Sequence, residues 1–283
     1  MKMSSRSARR ASASAFLLML SCAGTARAGL PDTPLEPVYH ALFSGNASAT
    51  WQQLIALWPR LDSDAQRLAW QASLTALVSR QCGNDIPVAV PSWLENPTLD
   101  LIQRDIPLNR IYRIQLNGKT SRRDLRISLE LPDGERLLAE AVPVYEEKDE
   151  FRLESKELGE PFPPGVYKLA FSSGGETWRQ SFALQGSAAL NWIGREGAAI
   201  KVRLPEHAIA CPAPWVEQML LRRPAFSMVW WHRAERSDKL QWPQRSDVES
   251  LWSDVSVIRA EARGGLTVRM MHRLGGPLLQ SGN

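Results

Sequence analysis

Residues 112–134, YRIQLNGKTSRRDLRISLELPDG, decide how the chain is read. Tyr112, Ile114 and Leu116 alternate with Arg113 and Gln115; Leu125, Ile127, Leu129 and Leu131 alternate with Arg126, Ser128 and Glu130. That period of two belongs to strands with one apolar and one wet face. Asn117-Gly118 and Pro132-Asp133-Gly134 follow as turn signals. Further on, Phe151, Leu153 and Ser155 begin a strand, and Val166 to Phe171 pairs with Trp178 to Leu184 across Gly174-Gly175. Short strands, each closed by a turn, predict an antiparallel β-sandwich over residues 106–186.

The pattern continues toward the C-terminus. Ile200, Val202 and Leu204 alternate with Lys201 and Arg203, Phe226 to His232 forms an aromatic strand, and Val255 to Ala260 faces Leu266 to Leu274 across Gly264-Gly265. Trp215 to Leu221 suits a short helix or a strand. Residues 187–274 are therefore expected to form a second β-rich domain, with a flexible tail at 275–283.

Toward the N-terminus the period changes to that of helices. Leu35, Val38, Tyr39, Leu42 and Phe43 share one helical face, as do Trp51, Leu54, Ile55 and Trp58. A third helix opens at Ser63, with Gln66 at capping-box spacing, and closes at Gly83. Residues 29–83 thus predict a small helical unit, and the proline-bearing stretch 84–105 a linker. The expected class is α+β: a small N-terminal helical unit followed by two antiparallel β-sandwich-like domains.

The first 28 residues carry an address. Lys2, Arg6, Arg9 and Arg10 precede the apolar run Ala11 to Leu20, and Ala26-Arg27-Ala28 offers a small-x-small site, the signature of a secretory signal cleaved after Ala28. The competing lipid acceptor, Cys22, has a poor lead-in in Met19-Leu20-Ser21. No second long apolar stretch follows, so no membrane span is expected in the mature chain. Five of the 34 basic side chains and none of the 30 acidic ones lie in this segment, leaving 29 against 30. The pI near 9.1 therefore does not describe the mature chain, and no nucleic-acid partner is expected.

Cleavage also leaves two cysteines, Cys82 and Cys211, in an oxidising compartment. They are expected to form a disulfide closing a loop of about 130 residues, worth up to about 5 kcal/mol. Two separately buried thiols are the alternative.

No catalytic pattern emerges. The four histidines are too far apart for a zincin helix, and neither a Gly-x-Ser-x-Gly elbow nor a Ser-x-x-Lys pair occurs. Gly118-Lys119-Thr120 imitates the end of a phosphate loop but lacks its first glycine, and reads as a turn. Glu146-Glu147 and Asp149-Glu150 read as a charged loop rather than a glycosidase pair. Asn46-Ala47-Ser48 is a glycosylation sequon or a helix-capping loop. No metal and no cofactor is expected.

Tryptophan is unusually frequent, with 11 residues, and it thickens where Trp230, Trp231, Trp242 and Trp252 stand near His232. Adjacent Trp230 and Trp231 in one strand must point to opposite faces, so at most one is core. These five residues form the candidate binding surface, suited to stacking on sugars or anchoring a protein; the alternative is that the tryptophans fill domain interfaces in a protein with small cores.

Pro161-Phe162-Pro163-Pro164-Gly165-Val166-Tyr167-Lys168-Leu169 resembles the entry to a late strand in immunoglobulin-like domains, where a tyrosine hydroxyl bonds back to the corner backbone. Taken in order, the signal, the helices, the Ser92-Trp93-Leu94-Glu95-Asn96-Pro97 segment, the Tyr167 strand and the tryptophan-rich end resemble a family of uncharacterised exported proteins from bacterial envelopes. The resemblance brings no activity with it and implies a periplasmic setting and an accessory role in the envelope. The expected function is a non-enzymatic binding or interaction protein contacting an envelope protein or glycan, of unspecified oligomeric state. The alternative is an envelope-polymer hydrolase whose site is assembled in three dimensions.

Overall fold

The computed structural model describes residues 33–277 apart from 147–148, 187, 198, 236–238 and 245–249. The expected signal peptide, Glu147 of the charged loop and the tail beyond Pro277 lie outside the described residues.

Three helices form as their apolar spacing requires: α1 (Glu36–Phe43), α2 (Ala47–Leu57) and α3 (Asp64–Gln81). Asn46 of the sequon caps α2, its side chain accepting from the Ala49 amide at 2.9 Å. Ser63 caps α3 by accepting from the Gln66 amide, while Gln66 reaches back to the Asp62 amide instead of that of Ser63. Trp51, Leu54, Trp70, Leu74 and Leu77 are buried between the helices, and the Trp70 indole donates to Leu54 O at 2.8 Å. Cys82 ends α3 in the left-handed region, φ 53°, followed by Gly83 at φ 75°.

Among the described residues fourteen strands follow: β1 (Glu95–Ile106), β2 (Asn109–Lys119), β3 (Arg126–Glu130), β4 (Arg136–Ala141), β5 (Val144–Tyr145), β6 (Glu150–Glu154), β7 (Gly165–Ser173), β8 (Glu176–Leu184), β9 (Ile193–Glu196), β10 (Ala199–Val202), β11 (Trp215–Arg222), β12 (Ser227–Glu235), β13 (Leu251–Arg263) and β14 (Leu266–Pro277). One sheet has eight strands in the order β12-β11-β13-β14-β1-β2-β6-β5, a second has four in the order β4-β3-β7-β8, and β9 and β10 form a hairpin.

The expected pair of antiparallel sandwich-like domains is corrected by this topology. The chain is mostly β, and a single mixed sheet takes strands from both halves, joined where β1 runs parallel to β14 from Thr98↔Thr267 to Asp105↔Leu274. From Glu95 on, the proline-bearing stretch 84–105 is itself a central strand. Its burial is almost continuous rather than alternating, which hides it from a period-two search. The turn expected at Asn117-Gly118 is likewise strand: Asn117 pairs with Arg152 and Gly118 with Phe151 on β6. Glycine is needed there for approach, since a Cβ on Gly118 would lie 2.9 Å from the Phe151 ring. β14 also continues through buried Gly275 and Gly276, into residues expected to belong to the tail.

The other elements match their local patterns. β7 and β8 pair across Gly174-Gly175, β13 and β14 across Gly264-Gly265, and the Tyr167 hydroxyl donates to Pro163 O at 2.7 Å. Trp215 to Leu221 is strand.

Packing on the eight-stranded sheet is one-sided. Leu99, Leu101, Ile114, Leu116, Leu266 and Val268 share a core with the helices and the four-stranded sheet. Val216, Val255, Val257 and Leu274, on the same face by register, pack against Ile193 of β9 and Ile200 and Val202 of β10. The opposite face contributes only Trp215, Ile258, Ala260 and Met271 to a small cluster drawn from the sheet itself. Among the described residues, no apolar cluster joins another element to that face.

Candidate functional site: the open face of the large sheet

Register places a row of side chains across six strands of the open face: Arg233 (β12), Glu217 (β11), Ser256 (β13), Arg273 (β14), Arg104 (β1) and Ile111 (β2). A second row passes through Trp231, Met219, Asp254 and Gly275. Two carboxylates are sunk into this face, Asp254 at 0 % and Asp100 at 1 % exposure. Arg273 Nε donates to Asp254 at 2.6 Å, and Arg269 grips Asp100 through Nε and a terminal nitrogen, both at 2.6 Å. Asn117 donates to the same Asp100 carboxylate at 2.9 Å. Paired forks of this kind are strong and directional.

The guanidinium groups are partly solvated, while the acids that hold Arg269 and Arg273 are not. Arg113, on β2, is held by Glu154 at 2.5 Å and Glu157 at 2.8 Å. Between Arg273 and Arg113 stands Arg104, which makes no hydrogen bond to a described residue; its Nε is buried without a partner, as are Arg113 Nε and Asp254 Oδ2. Burial first, then repulsion from Arg273, partly offset by Asp254, lowers the Arg104 guanidinium from its ordinary range, with Arg113 adding to the effect.

The five residues expected as a binding surface divide between the two faces. Trp231 lies on the open face, half exposed at 50 %, and Trp252 lies there too, edge-on to Phe226 with ring centroids 5.7 Å apart. Trp230, His232 and Trp242 lie on the packed face, where Trp230 stacks on His232 and meets Trp242, each at 5.8 Å. Gln218, beneath them, holds the main chain of Gln241 through both ends of its amide. The arginines and buried acids of the open face were absent from the sequence reading. Their only sequence signal is charge at even spacing, Asp100 with Arg104 and Arg269 with Arg273, and it shows nothing of which strands lie side by side.

A histidine and a carboxylate do meet, on the packed face: His272 Nε2 lies 3.2 Å from Asp105 Oδ2. The histidine is fully buried, and its Nδ1 accepts from the Trp192 and Ile193 amides at 3.0 and 3.1 Å. Both ring nitrogens are therefore occupied, and the pair locks the segment before β9 to the sheet instead of facing a substrate. Burial would raise the Asp105 carboxyl, but hydrogen bonds from His272 and Arg110 outweigh it and hold the group well below the usual aspartate range.

Two concavities lie elsewhere. A trough of about 710 Å³ on the outer face of the four-stranded sheet has Ser128, Ala170 and Ser181 among its lining, with Glu130, Lys168 and Arg179 beside them. A smaller one, about 390 Å³, adjoins Cys211 and is lined by His207, Arg259 and Glu261. No group of three or more potential metal ligands occurs among the described residues.

Cys82 and Cys211 are bonded, S–S 2.03 Å, and among the described residues no helix is long and apolar enough to cross a membrane. A family model described as a protein of unknown function (DUF2861) matches residues 30–278. No curated protein matches the chain. A solved chimeric titin Z1Z2-Z1Z2 tandem functionalised with an exogenous fibronectin peptide is 11 % identical, with a TM-score of 0.18 over 66 % of this chain and 98 % of that one, a likeness too low to inform the fold.

Proposed function

The chain belongs to the DUF2861 family, and we propose that it is an exported, non-enzymatic binding protein of the bacterial envelope, working in the periplasm and contacting an envelope protein or glycan through the open face of its large sheet. One observation carries the reading: a wide sheet face with no apolar layer over it among the described residues still holds its polar side chains in fixed geometry, Arg269 on Asp100 and Arg273 on Asp254. Ordered polar groups on the same face as a half-exposed tryptophan suit recognition, because their positions are set before a ligand arrives. The disulfide and the Ala26-Arg27-Ala28 site fit export, and the charge balance of the mature chain speaks against nucleic acid.

Site-specific photo-crosslinking in the native envelope tests this. A crosslinker at position 231 should capture a discrete envelope component, and one at position 168, on the outer face of the smaller sheet, should not. Equal capture at both positions, or none at 231, would remove the open face from consideration.

A further inference from the structure

We propose that Arg104, with Arg113 and Arg273 on either side, is an anion site on the open face, and that its ligand is an acidic glycan, an oligosaccharide carrying a carboxylate or phosphate, whose chain extends toward Trp231. This rests on the reading of the open face as the binding face and specifies its ligand.

Three guanidinium groups on three adjacent strands are the first observation, since Arg273 and Arg104 are direct register partners and Arg113 is diagonal to Arg104 across β1 and β2. The outer two are hydrogen-bonded to carboxylates, Arg273 to Asp254 and Arg113 to Glu154 and Glu157. The middle one is not hydrogen-bonded to any described residue. An arginine keeps its charge, so a guanidinium between two others is an unfavourable placement that folding alone does not explain. A carboxylate or phosphate laid across Arg104 would satisfy its fork and relieve the repulsion in one step.

The neighbourhood selects a glycan over a protein. A protein interface has an exposed apolar centre, whereas the row from Arg104 to β12 is Arg273, Ser256 and Glu217, and the apolar side chains beside it, Trp215, Ile258 and Ala260, are buried. The Glu217 carboxylate, whose Oε1 accepts from the Trp215 indole at 2.9 Å, offers its remaining lone pairs to sugar hydroxyls. Trp231, on β12, stands four strand spacings from Arg104 on β1, roughly 19 Å, a span that an oligosaccharide bridges from the arginines while stacking one of its rings on the indole.

The test is calorimetric titration of the disulfide-intact mature chain with trigalacturonate, glucose 6-phosphate, neutral maltotriose, inorganic phosphate and polyglutamate. The acidic sugars should bind, and maltotriose should bind about tenfold or more weakly than trigalacturonate. Arg104→Gln should weaken the acidic sugars by about tenfold, in line with loss of a charge-assisted fork, and Arg104→Lys should restore only part. Trp231→Ala should weaken trigalacturonate and leave inorganic phosphate unchanged. Unchanged affinity in Arg104→Gln, no binding by either acidic sugar, equal affinity for maltotriose, or tighter binding of polyglutamate than of either sugar would each overturn the site. If position-231 crosslinks persist in Arg104→Gln while the acidic sugars fail to bind, the binding face stands and the anion site falls; if wild type yields no crosslink at 231, the binding face itself falls.

Discussion

Arg273 Nε donates to Oδ1 of the fully buried Asp254 at 2.6 Å, while the second carboxylate oxygen has no hydrogen-bond partner among the described residues. Removing one member of such a pair strands a charge away from water, whereas removing both does not. Arg273→Met should therefore destabilise the chain by about 3 kcal/mol, and Asp254→Asn with Arg273→Met should recover a large part of that loss. Denaturant midpoints of the two singles and the double decide it; additive losses would mean that the pair is not coupled.

The Cys82 to Cys211 bond spans 129 positions and fixes the end of α3 to the segment entering β11. Cys82 O accepts from the Ala262 amide, and a Cβ on Gly83 would come within 2.0 Å of Ala262 O, so the junction is already tight without the bond. Part of the closure entropy is then regained by native contacts only in the folded state, and reduction should cost about 2–5 kcal/mol without abolishing the fold. Chemical unfolding of the oxidised chain against Cys82→Ala with Cys211→Ala measures the difference.

Gly118 shows how one residue carries two meanings. After three alternating residues, Asn117-Gly118 reads as a hairpin turn; in the sheet it is strand, because the missing Cβ admits the Phe151 ring. Gly118→Ala should cost about 1–3 kcal/mol as an overpacked contact, and less than the sum of the singles when combined with Phe151→Leu. A neutral Gly118→Ala would show that the ring has room to move.

Local pattern made much of the fold legible. The three helices, the Tyr167 corner, the β7 to β8 and β13 to β14 hairpins and the opposed faces of Trp230 and Trp231 all follow from periods within a dozen residues. The parallel pairing of Asp100 with Arg269 does not, because nothing in either segment names its neighbour. Once β1 is missed, the eight-stranded sheet divides on paper into two separate domains, and the arginines that meet across β14, β1 and β2 remain scattered charges. Trp230 and Trp242 illustrate the same limit: two aromatic side chains twelve residues apart were visible, but the face closed by Gln218 and Gln241 was not.

The Asp105 carboxyl, pulled down by His272 and Arg110 against the effect of burial, gives acid stability a specific source. A depressed carboxyl contributes its full stabilisation above the unfolded aspartate value, about 4, and loses it as pH falls below that toward the folded value. Wild type should therefore lose stability steeply below about pH 4, and Asp105→Asn, less stable at neutral pH, should lose less over the same interval. Melting temperatures at a series of pH values compare the two slopes; parallel curves would assign acid lability elsewhere.

Arg104 separates stability from binding. Burial and the repulsion of Arg273 act against its charge, with Asp254 a partial offset, so exchanging it for a neutral side chain should relieve the fold. Partial solvation screens the repulsion, and the expected gain for Arg104→Gln is up to about 1 kcal/mol. Phosphate stabilises most proteins by exclusion from their surface, so its effect on wild type alone proves nothing. The informative quantity is the extra rise in melting temperature that phosphate gives over chloride at equal ionic strength. It should be larger in wild type than in Arg104→Gln, because an anion bound only to the folded state adds stabilisation by mass action. An Arg104→Gln protein that melts earlier than wild type, with the same phosphate increment, would make Arg104 a structural residue of the sheet.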